Sequence, residues 1–230
     1  MDIRVVDFVA GAREARGVAV IIDVFRASTL QCQAFAQGAA RILPVADEAV
    51  ARRFKAANPD WLLVGERNAR KLPGFDYGNS PSDIAALDLT GRTLIQTTHA
   101  GTQGLAAAQD AAVVLSAALV NASATARRIR ALAPQAVTLV RMGSLATERS
   151  LEDDLCAEWL AALLRGQPYD TGSIRERLAA APSAQKFFDP DFTDAPRADF
   201  DICVDLDRFG FALQLEGRQS ASPWLAARTP

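Results

Sequence analysis

Short apolar runs punctuate the chain at residues 3–8 (IRVVDF), 18–24 (VAVIIDV), 41–45 (RILPV), 61–65 (WLLVG), 93–97 (TLIQT), 112–116 (AVVLS) and 136–140 (AVTLV). Each has strand length and is rich in Val, Ile or Leu. Between many of them lie alanine-rich segments with helical spacing, such as LQCQAFAQGA, DEAVARRFKAA, GLAAAQD and NASATARRIRALA. Strong helix formers dominate those segments. The alternation predicts an α/β protein with a largely parallel sheet flanked by helices. After a long helix around 150–165 the texture changes. GQPYDTGS reads as a connector, SIRERLAAA as a short helix, KFFDPDFTDAPRADF as a Pro/Asp-rich loop, and DFDICVDL and FALQLE as two late strands. The expectation is one α/β unit over residues 1–230, with a second smaller lobe left open by the change near 166–200.

Polar residues gather where the apolar runs end. Run 18–24 leads into Asp23, Arg26, Ser28 and Thr29, and Ser28 to Gln31 fits a capping box. Run 61–65 leads into Glu66, Arg67 and Asn68, and run 93–97 into Thr97, Thr98, His99, Gly101 and Thr102. Run 136–140 leads through Arg141 and Gly143 to Ser150, Glu152 and Asp153, another capping-box-like pattern. In open α/β sheets, ligands bind beyond the carboxyl ends of the strands. Each junction alone reads more readily as helix capping or dipole complementarity than as a site. Their convergence favours a site, and a charge at Asp23 would be costly without partners. In GERNARKLPGFDYGNSPSD, Ser80 reads as a helix cap with Pro81 at the first helical position.

Composition narrows the chemistry. Of 230 residues, 50% are hydrophobic and 23% charged, which suits a protein with a real core. A formal charge of −2 argues against a nucleic-acid partner. No apolar run approaches the ~20 residues that cross a bilayer, and MDIRVVDF lacks a signal-peptide layout. The expected location is cytoplasmic. Cys32, Cys156 and Cys203 are widely spaced and read as core residues, and a lone His99 excludes multi-histidine metal sites.

Carboxylates, arginines, hydroxyls and helix N-termini together suit an oxyanion held partly by Mg²⁺, which needs only about one to three carboxylates. That points to phosphoryl chemistry, leaving a phosphatase and a phosphate-binding module both open. Familiar alternatives fail: no GxxxxGK[ST] or GxGxxG occurs. Cys32 lacks the arginine of a cysteine phosphatase, and Asp205-Leu206-Asp207 lies too late in the chain for an aspartate-nucleophile phosphatase. No G-x-S-x-G accompanies His99.

In order, VIIDVFRAST, GERNARKLPGFDYGNSPSD, TLIQTTHAGT, SAALVNAS and SLEDDLCA resemble the signature segments of the 2-phosphosulfolactate phosphatase family (ComB-like). DFDICVDLDRFGFAL resembles its C-terminal strand region, so the likeness spans roughly residues 18–213. The resemblance implies a Mg²⁺-dependent acid phosphatase that converts 2-phosphosulfolactate to sulfolactate and phosphate, a step in coenzyme M biosynthesis. It also implies a cleft lined by Asp23, Arg26, Glu66, Arg67, Asn79, Ser80, Thr97, Thr98, Gly101, Thr102, Asn121, Glu152 and Asp153. Ala100 stands where that family usually has asparagine, and Ser28 where threonine is common. The first departure bears on the substrate more than on the reaction class.

The expected mechanism is in-line attack on a phosphate monoester. Asp23, Glu66 and Glu152 or Asp153 are the expected metal ligands. Arg26 and Arg67 are the expected anion clamps, and Ser28, Thr97, Thr98 and Thr102 the expected donors. Whether Asp23 attacks phosphorus, activates water or holds metal stays open, as does a homo-oligomeric state. A related phosphatase for another small acidic phosphate ester, and a non-catalytic binder of anionic metabolites, are the alternatives.

Overall fold

The computed structural model describes residues 1–220 and 222–229. Its centre is a ten-stranded, mostly parallel sheet flanked by helices, an α/β fold. The apolar runs become β1 (Asp2–Asp7), β2 (Val18–Ile22), β3 (Arg41–Pro44), β4 (Leu62–Arg67), β6 (Thr93–Thr97), β7 (Val113–Ala117) and β8 (Ala136–Arg141). The helical segments become α2 (Ala27–Ala36), α3 (Glu48–Ala57), α5 (Gly101–Ala107), α6 (Ala122–Leu132) and α7 (Leu151–Arg165). A short α1 (Phe8–Glu14), β5 (Arg70–Lys71), α4 (Pro81–Ala85) and α8 (Ile174–Ala179) complete this part. Among the described residues, no helix is long and apolar enough to cross a membrane.

Strands β1, β8, β2 and β7 form one parallel block and β3, β6 and β4 another. Between them sits an antiparallel hairpin, β9 (Ala212–Glu216) and β10 (Trp224–Arg228), which pairs with β7 on one side and β3 on the other. The hairpin reverses the local strand sense, so the two blocks do not share one parallel edge. The carboxyl ends of β2, β4 and β6 nonetheless reach one cleft, whose wall includes Asp23, Glu66 and His99. β2 is buried along its whole length, as expected for a parallel strand covered on both faces.

Two late elements differ from the sequence expectation. DFDICVDL is not a strand: α9 (Arg197–Cys203) occupies it, with Pro196 at its N-cap and Asp199 in its first turn. Its buried residues, Asp199, Phe200 and Cys203, follow helical spacing, although the D-F-D-I alternation mimics a period of two. β10 was not expected from the sequence at all. The segment before α9 carries a 3₁₀ turn (Pro182–Phe187). Ile174, Leu178, Ala184, Phe187 and Phe200 from this region join the same hydrophobic cluster as β2, β7 and β8. That packing holds the late segment against the end of β2.

Candidate active site

A cleft of about 360 Å³ opens where β2, β4 and β6 end, and Asp23, Arg26, Glu66, Asn79 and Glu152 all line it. Residues remote in sequence are therefore brought together around one space. Phe25, Asn68, His99, Ala100, Ser183 and Lys186 share the wall.

Asp23 leaves the buried strand β2 and turns into α2. Its Oδ1 accepts a hydrogen bond from the Ala27 amide at 3.2 Å. The expected Ser28 capping box does not form. Helix α2 begins at Ala27, and the Asp23 carboxylate satisfies an amide of its first turn instead. Ser28 faces the core, where its hydroxyl lies 2.8 Å from that of Ser116. The next loop packs tightly on Asp23: a Cβ at Gly101 would lie 2.8 Å from Asp23 Oδ2 and 2.9 Å from Ala27 Cβ. Only glycine allows that approach. Burial pushes the Asp23 carboxyl up to about 6. The Ala27 and Gly101 amides pull it down, and the Glu66 charge adds to the rise.

Glu66 is clamped by backbone. Its Oε2 accepts from the Ala69 amide at 2.7 Å and its Oε1 from the His99 amide at 2.8 Å. It thus fixes the β4–β5 turn and the loop after β6 to each other. That turn is tight: Asn68 and Ala69 both have positive φ, as a two-residue hairpin of this kind demands.

Glu152 and Asp153 begin α7 and part company. Glu152 faces the cleft and accepts a 2.6 Å hydrogen bond from the Ser183 hydroxyl; burial raises its carboxyl. Asp153 does not line the cleft. Its oxygens accept from the Val24 amide at 2.9 Å and the Gly143 amide at 2.8 Å, so it ties α7 to the ends of β2 and β8. Gly143 sits there at φ +63°, where a Cβ would meet the Glu148 carbonyl oxygen. Burial, then the charges of Asp23 and Glu152, hold the Asp153 carboxyl well above the usual range. Ser150 is the N-cap residue of α7, but its hydroxyl makes no capping bond.

The arginines are placed differently from the expectation that both clamp an anion. Arg26 lines the cleft, yet it is 1% exposed and its terminal nitrogens are engaged by protein. Nη1 donates to Asp199 and to the Asp194 carbonyl, each at 2.6 Å, and Nη2 to the Ala69 carbonyl at 3.1 Å. Asp199, fully buried, also accepts from Ser80, from the Ser82 amide and from the Ser82 hydroxyl. Arg26 is thus the centre of a knot joining the β2–α2 loop, the β4–β5 turn, α4 and α9. The Phe25–Arg26 peptide bond is cis. Arg67 does not line the cleft; it donates to the Glu66 carbonyl at 2.7 Å and to the Thr97 hydroxyl at 3.0 Å.

The remaining expected donors mostly shape loops. Ser80 caps α4 through the Asp83 amide, with Pro81 at the first helical position as expected. Thr98 and Thr102 hydroxyls each accept the other's amide, at 3.1 and 2.9 Å, closing the turn into α5. Asn121 is fully buried, and its side-chain oxygen accepts the Ala118 amide at 2.9 Å. Ser28, Ser80, Thr97, Thr98, Gly101, Thr102 and Asn121 stay outside the cleft wall. Asp207, the last letter of the late Asp-x-Asp, accepts the Ser123 amide at 2.7 Å near the start of α6.

Lys186 was missed by reading strand ends, because it follows no strand. It reaches the cleft from the 3₁₀ turn and lies over the adjoining rings of Phe25 and Phe187, at 5.9 and 5.2 Å from their centroids. Among the described residues no carboxylate forms a salt bridge with its ammonium. Burial, then the Arg26 charge, lowers its affinity for a proton, while Glu152 and Asp23 raise it. The clue available in the sequence was a lone lysine set against two phenylalanines.

Among the described residues, no group of three or more His, Cys, Asp or Glu side chains is arranged to hold a metal ion. Mg²⁺ asks for less, usually one or two carboxylates with waters completing its shell. Asp23, Glu66 and Glu152 supply oxygen donors to the same cleft, and a bound cation would offset the cost that burial imposes on ionised Asp23 and Glu152. The donor set fits that ion.

A family model described as 2-phosphosulpholactate phosphatase matches residues 6–210. The chain is 33% identical over 213 residues to a probable 2-phosphosulfolactate phosphatase of Synechococcus sp. (strain CC9605), covering 84% of this chain and 86% of that protein. It is 34% identical over 174 residues to one so described from Bacillus subtilis (strain 168), with 74% of each chain covered. A Deinococcus radiodurans relative with the same description is 41% identical over 128 residues, spanning 55% of this chain and only 53% of its own length. The family match runs from β1 through α9 and includes every residue named above on the cleft wall, so the chain belongs to the 2-phosphosulpholactate phosphatase family.

Proposed function

We propose that the protein is a Mg²⁺-dependent phosphatase that hydrolyses 2-phosphosulfolactate to sulfolactate and phosphate. One observation carries this reading: Asp23, Glu66 and Glu152 meet in a single cleft that also holds Lys186, a cation without a salt-bridge partner among the described residues. Family membership supports phosphate-ester chemistry, and the relatives' printed names supply the substrate.

Asp23, with Glu152 or Glu66, would hold the metal. When bound, Mg²⁺ supplies neutralising charge on phosphoryl oxygens and acidifies a bound water. The protein's own groups do the rest. Glu66, locked by two amides, keeps the loops after β4 and β6 in register around the ester. Asp23 Oδ2, the oxygen not held by the Ala27 amide, accepts the proton of the attacking water. Lys186 meets an anionic group of the ester, and its aromatic walls keep that contact partly dry, which strengthens it. Arg26 contributes by building the wall, its charge being shared with Asp199.

A second reading has its own support. Ala100, where the family resemblance leads one to expect asparagine, lies on the cleft wall, which favours a family phosphatase acting on another small acidic ester. Phosphate release from a panel of small phosphate esters, each with Mg²⁺ and with excess chelator, tests both. The proposal expects 2-phosphosulfolactate to lead and chelation to stop turnover. Preference for an ester without a sulfonate would favour the second reading. No release from any ester would point instead to a binder of anionic metabolites.

A further inference from the structure

Beneath the cleft runs a chain of fully buried side-chain amides that the catalytic reading does not use. Gln96, on β6, donates from Nε2 to the Ala27 carbonyl at 3.4 Å and to Asn79 Oδ1 at 3.3 Å. Its Oε1 accepts from Gln31 Nε2 at 2.7 Å, and Gln31 Oε1 accepts from the Ser116 hydroxyl at 2.5 Å. Gln96, Gln31 and Ser116 are all wholly inaccessible to solvent. Buried polar groups in such a place must be paired, and a connected set behaves as one unit.

The orientation of a side-chain amide is an assignment that its hydrogen-bond network must justify. Here the network justifies it from one fixed point. The Ala27 carbonyl can only accept, so Gln96 must present its NH₂ there. Its oxygen then faces Gln31, which must answer with NH₂ and turn its own oxygen to Ser116. At the other end, Asn79 must meet the Gln96 NH₂ with Oδ1. Asn79 lines the cleft, so its remaining polar group, the NH₂, faces the space where the ester would lie.

We propose that Gln96 and Gln31 are positioning residues that lock the Asn79 amide with its NH₂ toward the cleft, making it a fixed donor to a substrate oxyanion. The inference rests on the anion-binding reading of the cleft, and it extends that reading to residues on β6 and α2 that never touch substrate. Without the lock, Asn79 can turn its carbonyl oxygen to the anion and repel it.

Two measurements test it. In ¹⁵N-labelled wild-type protein, the side-chain NH₂ of Asn79 should exchange with solvent much faster than those of Gln96 and Gln31. Protection of Asn79 equal to theirs would overturn the lock, whatever the substrate is. The second is kinetic, with 2-phosphosulfolactate and Mg²⁺. Asn79→Ala should lower kcat/KM by about tenfold or more, the range of a hydrogen bond to a charged group. Gln96→Leu should do the same, chiefly through KM, and the double variant should be no worse than Asn79→Ala alone. Gln31→Met, one link further away, should show a smaller loss of the same sign even if Gln96→Leu folds poorly. Losses that add in the double variant, or that fall on kcat alone, would overturn the proposal. If wild-type protein released no phosphate from this or any other ester, the phosphatase reading would fall, while the exchange result would still decide the amide orientation.

Discussion

Asp23→Asn should make the metal-free protein more stable while destroying its activity. Burial holds the Asp23 carboxyl at about 6 against an ordinary value of 3.8. At about 1.4 kcal/mol per pKa unit, ionised Asp23 costs the folded state about 3 kcal/mol above pH 6. Asparagine keeps the oxygen that accepts the Ala27 amide but repels the Gly101 amide, which returns about 1 kcal/mol of that. The expected gain is therefore about 2 kcal/mol at pH 8. The sign follows from the direction of the shift. A carboxyl raised in the folded state favours folding while it is protonated, and that contribution is lost as pH rises from about 4 through 6. Urea denaturation of both proteins in excess chelator, at intervals from pH 4 to 8, reads the effect. The variant should be about 1 kcal/mol less stable than wild type near pH 4, overtake it as pH rises through 6, and then level off. The same variant should lose at least about a hundredfold in turnover, the usual weight of a positioned acid or base. A variant no more stable than wild type at pH 8, or a gap that ignores pH, would refute the reasoning.

Lys186→Met should raise KM for 2-phosphosulfolactate at least about tenfold with little change in melting temperature, because its ammonium forms no salt bridge that would be broken; steady-state kinetics and a thermal melt check both halves. Arg26→Met should destabilise by about 3–5 kcal/mol, since it leaves Asp199 buried and unpaired, and denaturant unfolding will show it. Ala69→Gly should stabilise by up to about 1 kcal/mol, because Ala69 holds a positive φ that glycine adopts freely. Chelation should abolish phosphate release and added Mg²⁺ restore it, as read in a continuous phosphate assay.

The parts of this design that depend on local pattern could be read in the sequence. An apolar run that ends in Asp23 or in Glu66 announces both a buried strand and a charge delivered to its end, and the structure places those two carboxylates in one cleft. Ser80-Pro81 announces a helix start through local chemistry alone, and the cap forms. What could not be read depends on partners far along the chain. Arg26 looks like a substrate clamp until Asp199, on α9, is placed against it. Asp199 was hidden because D-F-D-I-C-V alternates like a strand, though Pro196 and an acidic first turn mark a helix start. Arg67 follows a strand end as Glu66 does, but the side chain turns sideways to Thr97. Glu152 and Asp153 are adjacent on α7, where neighbouring side chains point about 100° apart, and only one reaches the cleft. The hairpin of β9 and β10 enters the middle of the sheet by long-range pairing, which no local pattern encodes.

The central claim is that the cleft around Asp23 is where a phosphate ester is cut. Phosphorus NMR of 2-phosphosulfolactate incubated with the protein and Mg²⁺ tests it most directly, with Asp23→Asn run alongside. The account predicts that wild type converts the ester signal to inorganic phosphate while the variant leaves it intact. An ester untouched by wild type, or consumed equally by both proteins, would contradict it.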